Sequence, residues 1–149
     1  MTKTVQLPLP TDLEHQPLRA IPYVAHDGKW AGDTDAQHLS LGRAQWGAQD
    51  LSAKVFRHVE TRWSRQSEEL PVHRAIDLTI FIAMALFGKS DDVQAGTLEN
   101  QPHPLRMQPS PAVSRETLEQ EYADDISRAR ARLQKLRETL NDLHQIGAI

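Results

Sequence analysis

Cysteine is absent from all 149 residues, which removes disulfides and thiolate chemistry from consideration. Aromatic side chains are scarce, at 5%, and apolar residues reach only 39%, below the usual ~45–50%, so the core is modest and long polar segments are attached to it. Long apolar runs are missing as well. The longest nearly apolar stretch, Leu78 to Phe87, spans 10 residues, against the roughly 20 that a membrane helix needs. The first residues, MTKTVQLPLPTDLEH, contain no apolar signal-peptide core. An excess of positive charge is also lacking: 17 Lys and Arg against 20 Asp and Glu give a net charge of −3 and a pI near 6.1. A global electrostatic footprint for nucleic acid is therefore excluded, leaving only a local basic patch. These absences describe a soluble chain suited to a reducing cytoplasm, with no membrane partner.

What is present divides the chain into four segments within one expected structural domain. Residues 1–36 hold Pro8, Pro10, Pro17 and Pro22, a density that forbids a continuous helix and favours extended chain. Asp27-Gly28 adds a strong turn signal, flanked by Tyr23, Val24 and Trp30. A short hairpin and a loosely packed arm both suit this segment, which is read as an extended N-terminal arm.

Residues 37–88 are expected to form a helical core. In residues 37–66, Leu51, Val55, Val59 and Trp63 recur at i, i+4, i+8 and i+12, as on one face of a helix that Asp50 would cap. Gly42 and Gly47 weaken its first part. A rival pattern runs through the same residues: Val55, Arg57, Val59, Thr61 and Trp63 alternate as a half-buried strand would. The richness in Lys, Arg, Glu and Gln, and the lack of a nearby turn pair, favour the helix. A second helix is expected from Pro71, preceded by Glu68 and Glu69, to Phe87. It is apolar on all sides from Leu78 onward and so is expected to be buried on all sides, with Gly88 at its C′ position and Lys89 beside the negative end of the dipole.

Residues 89–113 contain Pro102, Pro104, Pro109, Pro111 and Gly96 and read as a Pro-rich extended linker. Residues 114–149 read as one long C-terminal helix capped by Ser114. The fold class expected from this order is mainly α.

The C-terminal helix carries the clearest signal. Tyr122, Ile126, Ala129, Leu133, Leu136, Leu140 and Leu143 follow an alternating spacing of 4 and 3, the a/d seam of a coiled coil with Ile126, Leu133 and Leu140 at a. A helix cannot bury such a seam alone. Three partners suit it: the helix over 71–87 of the same chain, a second copy, or another protein. The flanking e positions Arg130, Arg137 and His144 and the g positions Asp125, Arg132 and Thr139 do not specify a homodimer well, because Asp125 attracts Arg130 of a parallel copy while Arg132 repels Arg137. An apolar groove with an acidic rim fits better.

Residues that carry chemistry elsewhere do not assemble into a recognisable motif here. AMALFGKS at 83–90 fits a relaxed phosphate-loop pattern with Ala for the first Gly, but its inner residues are helix formers, and Asp91 and Asp92 place carboxylates where phosphates would sit. Seven histidines show no metal-ligand spacing. His58 and Glu60 share a side only in a strand, and His73 reaches His58 only across a pair of helices. Asp27, Asp33 and Asp35 miss the offsets of a calcium loop. No catalytic residue, metal site or cofactor is implied, and the chain is read as a non-enzyme.

The expected function is protein–protein interaction or assembly, alone as an oligomer or with another protein, through Ile126, Leu133, Leu136, Leu140, Leu143, Arg130 and Arg137. The alternative is a small nucleic-acid-binding or regulatory protein that contacts phosphates through Arg128, Arg130, Arg132, Lys135 and Arg137. Against that alternative stand Asp124, four residues before Arg128, and the acidic Glu138 and Asp142 farther along.

Overall fold

The computed structural model describes residues 3–46, 50–65, 70, 72–88, 92–94, 96–101, 103, 105–109 and 113–149. It divides into two compact units, Met1–Val113 and Ser114–Ile149.

The first unit is built on an antiparallel sheet, which overturns the mainly α reading. Strands β1 (Gln16–Pro22), β2 (Ala36–Arg43), β3 (Leu51–Val59) and β4 (Arg62–Trp63) follow one another along the chain. A late short strand, β7 (Gln108–Pro109), adds to β1, giving the order β4-β3-β2-β1-β7. Most of the described residues among those expected to be helical over 37–66 thus lie in strands β2 to β4, the others in the turns and ends that join them. The all-α description fails with them: the fold is mixed α and β.

Both β2 and β1 are buried on their two faces, and β2 is buried from Ala36 to Gly42. Register sorts the side chains. Ile21 faces Leu39, which faces Val55, so these three line one face of the sheet together with Leu41. Ala20, Ser40 and Lys54 are likewise in register on the opposite face, with His38 opposite Phe56 and Gly42 opposite Ser52. Ile21, Leu39 and Phe56 are wholly inaccessible to solvent. Each such side chain contributes about 1.5–3 kcal/mol by leaving water. Gly42 is required by close approach: a Cβ there would lie 2.0 Å from the Gln16 carbonyl oxygen on β1.

The N-terminal segment is pinned rather than loose. Gln6 donates from its side-chain amide to the Gln37 carbonyl oxygen at 2.6 Å. Gln37 returns the contact, accepting from the Leu7 N–H at 2.7 Å and donating to the Val5 carbonyl at 3.1 Å. Between β1 and β2 the chain makes two short 3-10 turns, Val24–His26 and Gly28–Trp30.

Helix α1 (Val72–Phe87) packs across β2 and β3. The expectation that it is buried on every side is corrected. Arg74, Phe81, Ala85 and Leu86 are buried, whereas Val72 and Ile76 are 78% and 55% exposed. A helix lying on one sheet touches it by one face only. Gly88 ends α1 without adopting the left-handed conformation of a C′ glycine. Its N–H donates to the Met84 carbonyl, and a Cβ on it would meet that same oxygen at 2.4 Å.

The segment read as a linker contributes structure. β5 (Asp92–Val93) pairs with β6 (Leu105–Arg106), Leu98 and Met107 are buried, and β7 extends the main sheet. Buried Arg19 on β1 donates to the Leu18 carbonyl at 2.7 Å and to the Val113 carbonyl at 2.5 Å, fastening the end of this segment.

The second unit is two helices, not one. Ser114 caps α2 (Arg115–Glu121), its hydroxyl accepting from the Thr117 N–H at 3.1 Å. At Tyr122 the backbone leaves helical geometry (φ −123°, ψ 31°), and α3 (Ala123–Gln145) begins. α3 ends in a Schellman arrangement, with the Gly147 N–H on the His144 carbonyl and the Ala148 N–H on the Leu143 carbonyl.

Candidate ligand groove and candidate partner face

On the face of the sheet that carries Ser40 and Lys54, the chain before β1 folds over and leaves an open groove of about 860 Å³. Its floor includes His15, which is 2% exposed. The two ring nitrogens of His15 meet the hydroxyls of Ser40, at 2.9 Å, and Ser52, at 3.1 Å. The ring stands edge-on to Phe56 with centroids 5.5 Å apart. Burial, seconded by the Lys54 charge, pushes the imidazole pKa down to about 4, so His15 is neutral at physiological pH and serves as a hydrogen-bonding post between two serines.

Trp63 on β4 forms a wall of the groove and is braced from behind. His58 meets it edge-on at 5.1 Å and Phe56 at 5.9 Å. Lys54, Arg62 and Arg65 also line the groove, and Asp12 and Glu14 face it from the segment before β1. Lys54 donates to the Gln45 side-chain oxygen at 3.3 Å. Burial and the neighbouring Arg65 charge hold the Lys54 ammonium pKa below its ordinary value, with Glu14 opposing them.

A second polar cluster joins the 3-10 turns to α1. Asp27 is fully buried. Its carboxylate accepts from Thr34 Oγ1 at 2.6 Å, Arg74 Nη2 at 2.7 Å, His73 Nε2 at 2.8 Å and Arg74 Nε at 3.2 Å. Burial alone would raise the Asp27 pKa, but the hydrogen bonds from Arg74, Thr34 and His73, with the Arg74 charge, more than reverse this and hold it below the usual carboxylate value. Beside it, the Tyr23 hydroxyl donates to Asp77 at 2.5 Å. Burial pushes the Asp77 pKa up, and the Tyr23 bond opposes that rise. Every acceptor position of Asp27 is filled by protein, so this cluster is a clasp. The histidines and aspartates considered in the sequence are thereby placed: His73 binds Asp27 and packs at a tilt against Trp30, His58 braces Trp63, and Asp35 pairs bidentately with Arg57 at 2.6 to 3.2 Å. Lys89 and Ser90 of the phosphate-loop pattern lie outside the described residues.

The heptad residues all lie on α3, the seam beginning at Tyr122 just before it. Tyr122 and Ile126 are buried, Leu133 and Leu143 are partly buried, and Leu136 and Leu140 are 39% and 42% exposed. Arg130 and Arg137, on the flank, are exposed. Of the basic stretch, Arg128 pairs with Asp125 at 3.3 Å rather than with Asp124, and Lys135 lies 3.7 Å from Glu138. These i, i+3 pairs spend part of the positive charge within the helix; Arg132 is exposed beside them.

None of the groove residues was singled out as a site from sequence. The signal was nonetheless there: between residues 54 and 65, Lys54, Arg57, His58, Arg62 and Arg65 interleave with Phe56 and Trp63. On the hairpin, Lys54, Arg62, Trp63 and Arg65 of this stretch line the groove, while Arg57 turns away to pair with Asp35 and Phe56 and His58 pack against Trp63.

The fold and these features define a small α/β protein with a sheet-borne groove and a separate helical unit. The chain belongs to a family of unknown function, DUF6530, whose profile spans residues 7–145. No curated protein and no solved structure matches the chain. Among the described residues, no helix is long and apolar enough to cross a membrane.

Proposed function

We propose that the protein is a non-enzymatic assembly subunit of the cytoplasm that captures a partner helix along α3. One observation carries this reading: the apolar stripe that is buried at Tyr122 and Ile126 continues as Leu136 and Leu140, which remain about two-fifths exposed. Leucines at a/d spacing gain little in water and are stabilised when a second helix covers them. The flanks select the partner. Arg130, Arg132 and Arg137 border the stripe, so a helix with Leu at its seam and Glu on its flanks is complementary. Another copy of α3 brings the same arginines to the contact.

The test uses two synthetic heptad peptides, both with leucine seams, one flanked by Glu and one by Lys. The Glu-flanked peptide is expected to bind the full chain and gain helicity, and the Lys-flanked one not. Leu136→Asp with Leu140→Asp is expected to weaken binding at least tenfold while circular dichroism of the free protein is unchanged. Equal binding of the two peptides, or binding indifferent to the double substitution, overturns the reading. A chain that light scattering shows to be a stable dimer, broken by the same substitutions, replaces the foreign partner with a second copy.

A further inference from the structure

The groove on the sheet has walls of unlike chemistry, and none of its lining residues belongs to α3. Its volume of about 860 Å³ falls within the roughly 300–1,000 Å³ of small-molecule sites. Three cations, Lys54, Arg62 and Arg65, line it within a stretch of twelve residues that doubles back at the β3–β4 turn. Lys54, which is partly buried, and the exposed Arg65 are near enough to oppose each other's charge, an opposition that Glu14 offsets only in part. An anion seated between them relieves that repulsion and is charge-assisted from more than one side.

The indole of Trp63 lines the same groove as these cations. Its packing against Phe56 and His58 fixes its orientation, so a planar group can stack on it at little entropic cost. Asp12 and Glu14 on the opposing segment make the groove two-signed. They reject a second acidic group and accept hydrogen bonds from hydroxyl or amino substituents. His15, neutral and already spent on Ser40 and Ser52, adds a polar floor without adding charge.

We propose that this groove is a binding site for a small organic anion with a flat ring, the ring stacked on Trp63 and the acidic group held among Lys54, Arg62 and Arg65. Mononucleotides and aryl carboxylates both carry that chemistry. Titration calorimetry on the full chain separates them, with adenosine 5′-monophosphate and 1-naphthoate as ring-bearing anions and with adenosine and inorganic phosphate as the two halves. At least one ring-bearing anion is expected to bind ten times more tightly than adenosine or phosphate; which of the two binds identifies the source. Arg62→Gln with Arg65→Gln, at exposed positions that leave the core intact, is expected to lower that affinity at least tenfold without shifting the melting temperature. Trp63→Leu is expected to lower it too, and should it unfold the hairpin the arginine variant still decides. Absence of binding by both ring-bearing anions at millimolar concentration, phosphate binding as tightly as they do, or affinity unchanged in the arginine variant overturns the proposal.

Discussion

Arg74 grips the buried carboxylate of Asp27 with two hydrogen bonds, at 2.7 and 3.2 Å, and so ties the first turn of α1 to the loop between β1 and β2. Both side chains are largely withdrawn from water, at 9% and 0% exposure. Removing one charge leaves the other buried without its partner. Asp27→Asn is therefore expected to cost about 3–5 kcal/mol, measured by urea unfolding. Arg74→Met with Asp27→Leu, which removes both charges, is expected to recover a large part of that loss. A single Asp27→Asn variant as stable as the parent would show that the pair is not a clasp.

The β3–β4 hairpin turns through only two residues, Glu60 and Thr61, since Val59 pairs directly with Arg62. Glu60 sits at φ +57°, a left-handed conformation in which a side chain is unfavourable. Tight hairpins place glycine at this first position for that reason. Glu60→Gly is expected to stabilise the fold by up to about 1 kcal/mol, read from the same unfolding curves, and to leave the groove unaltered. A loss of stability would mean that Glu60 makes contacts worth more than its strain.

That turn also explains why the helical pattern over 51–63 outweighed the strand pattern running through the same residues. The spacing Leu51, Val55, Val59 is 4 and 4, an even interval that satisfies a strand as well as a helix, because i+4 is one face in both. The residues that distinguish the two are Phe56 and Arg57. Phe56, off the helical stripe, is fully buried on the opposite face of β3. The absence of an Asn-Gly or similar pair weighed against a hairpin, yet the chain makes one with Glu60 under strain. Ser114 as a helix cap and the heptad spacing were legible because caps and periodicity are local. The break at Tyr122 was not, since the seam passes through it without interruption. The groove was hidden because its two walls, residues 12–15 and 54–65, meet only after the sheet has formed.

The two ends of the α3 seam are expected to respond differently in the free protein. Ile126 is 6% exposed, so Ile126→Ala is expected to cost about 2–4 kcal/mol. Leu140 is 42% exposed, so Leu140→Ala is expected to change stability by no more than about 0.5 kcal/mol. Thermal unfolding of both variants, alone and with the Glu-flanked peptide, checks this. If Leu140→Ala destabilises the free chain as much as Ile126→Ala, the leucine stripe is already covered and unavailable to a partner.

His15 makes acid sensitivity a consequence of the groove's floor. Its pKa falls from 6.5 to about 4 on folding because burial and the Lys54 charge disfavour the imidazolium. Below pH 6.5 the unfolded chain takes up a proton that the folded chain refuses, so stability rises with pH across this range. The contribution is fully present above pH 6.5, declines as pH falls, and is lost by about pH 4. A difference of about 2.5 units corresponds to roughly 3 kcal/mol. His38, also buried, is shifted the same way by burial and adds to the slope, with its backbone hydrogen bonds opposing. His15→Gln keeps hydrogen-bonding capacity toward Ser40 and Ser52 but cannot titrate. It is expected to be less stable than the parent at pH 7.5 and to lose less stability between pH 6.5 and 4.5, as read from urea midpoints. A parent protein equally stable at both pH values, or a variant with an unchanged slope, would mean that His15 is solvated enough to accept the proton in place.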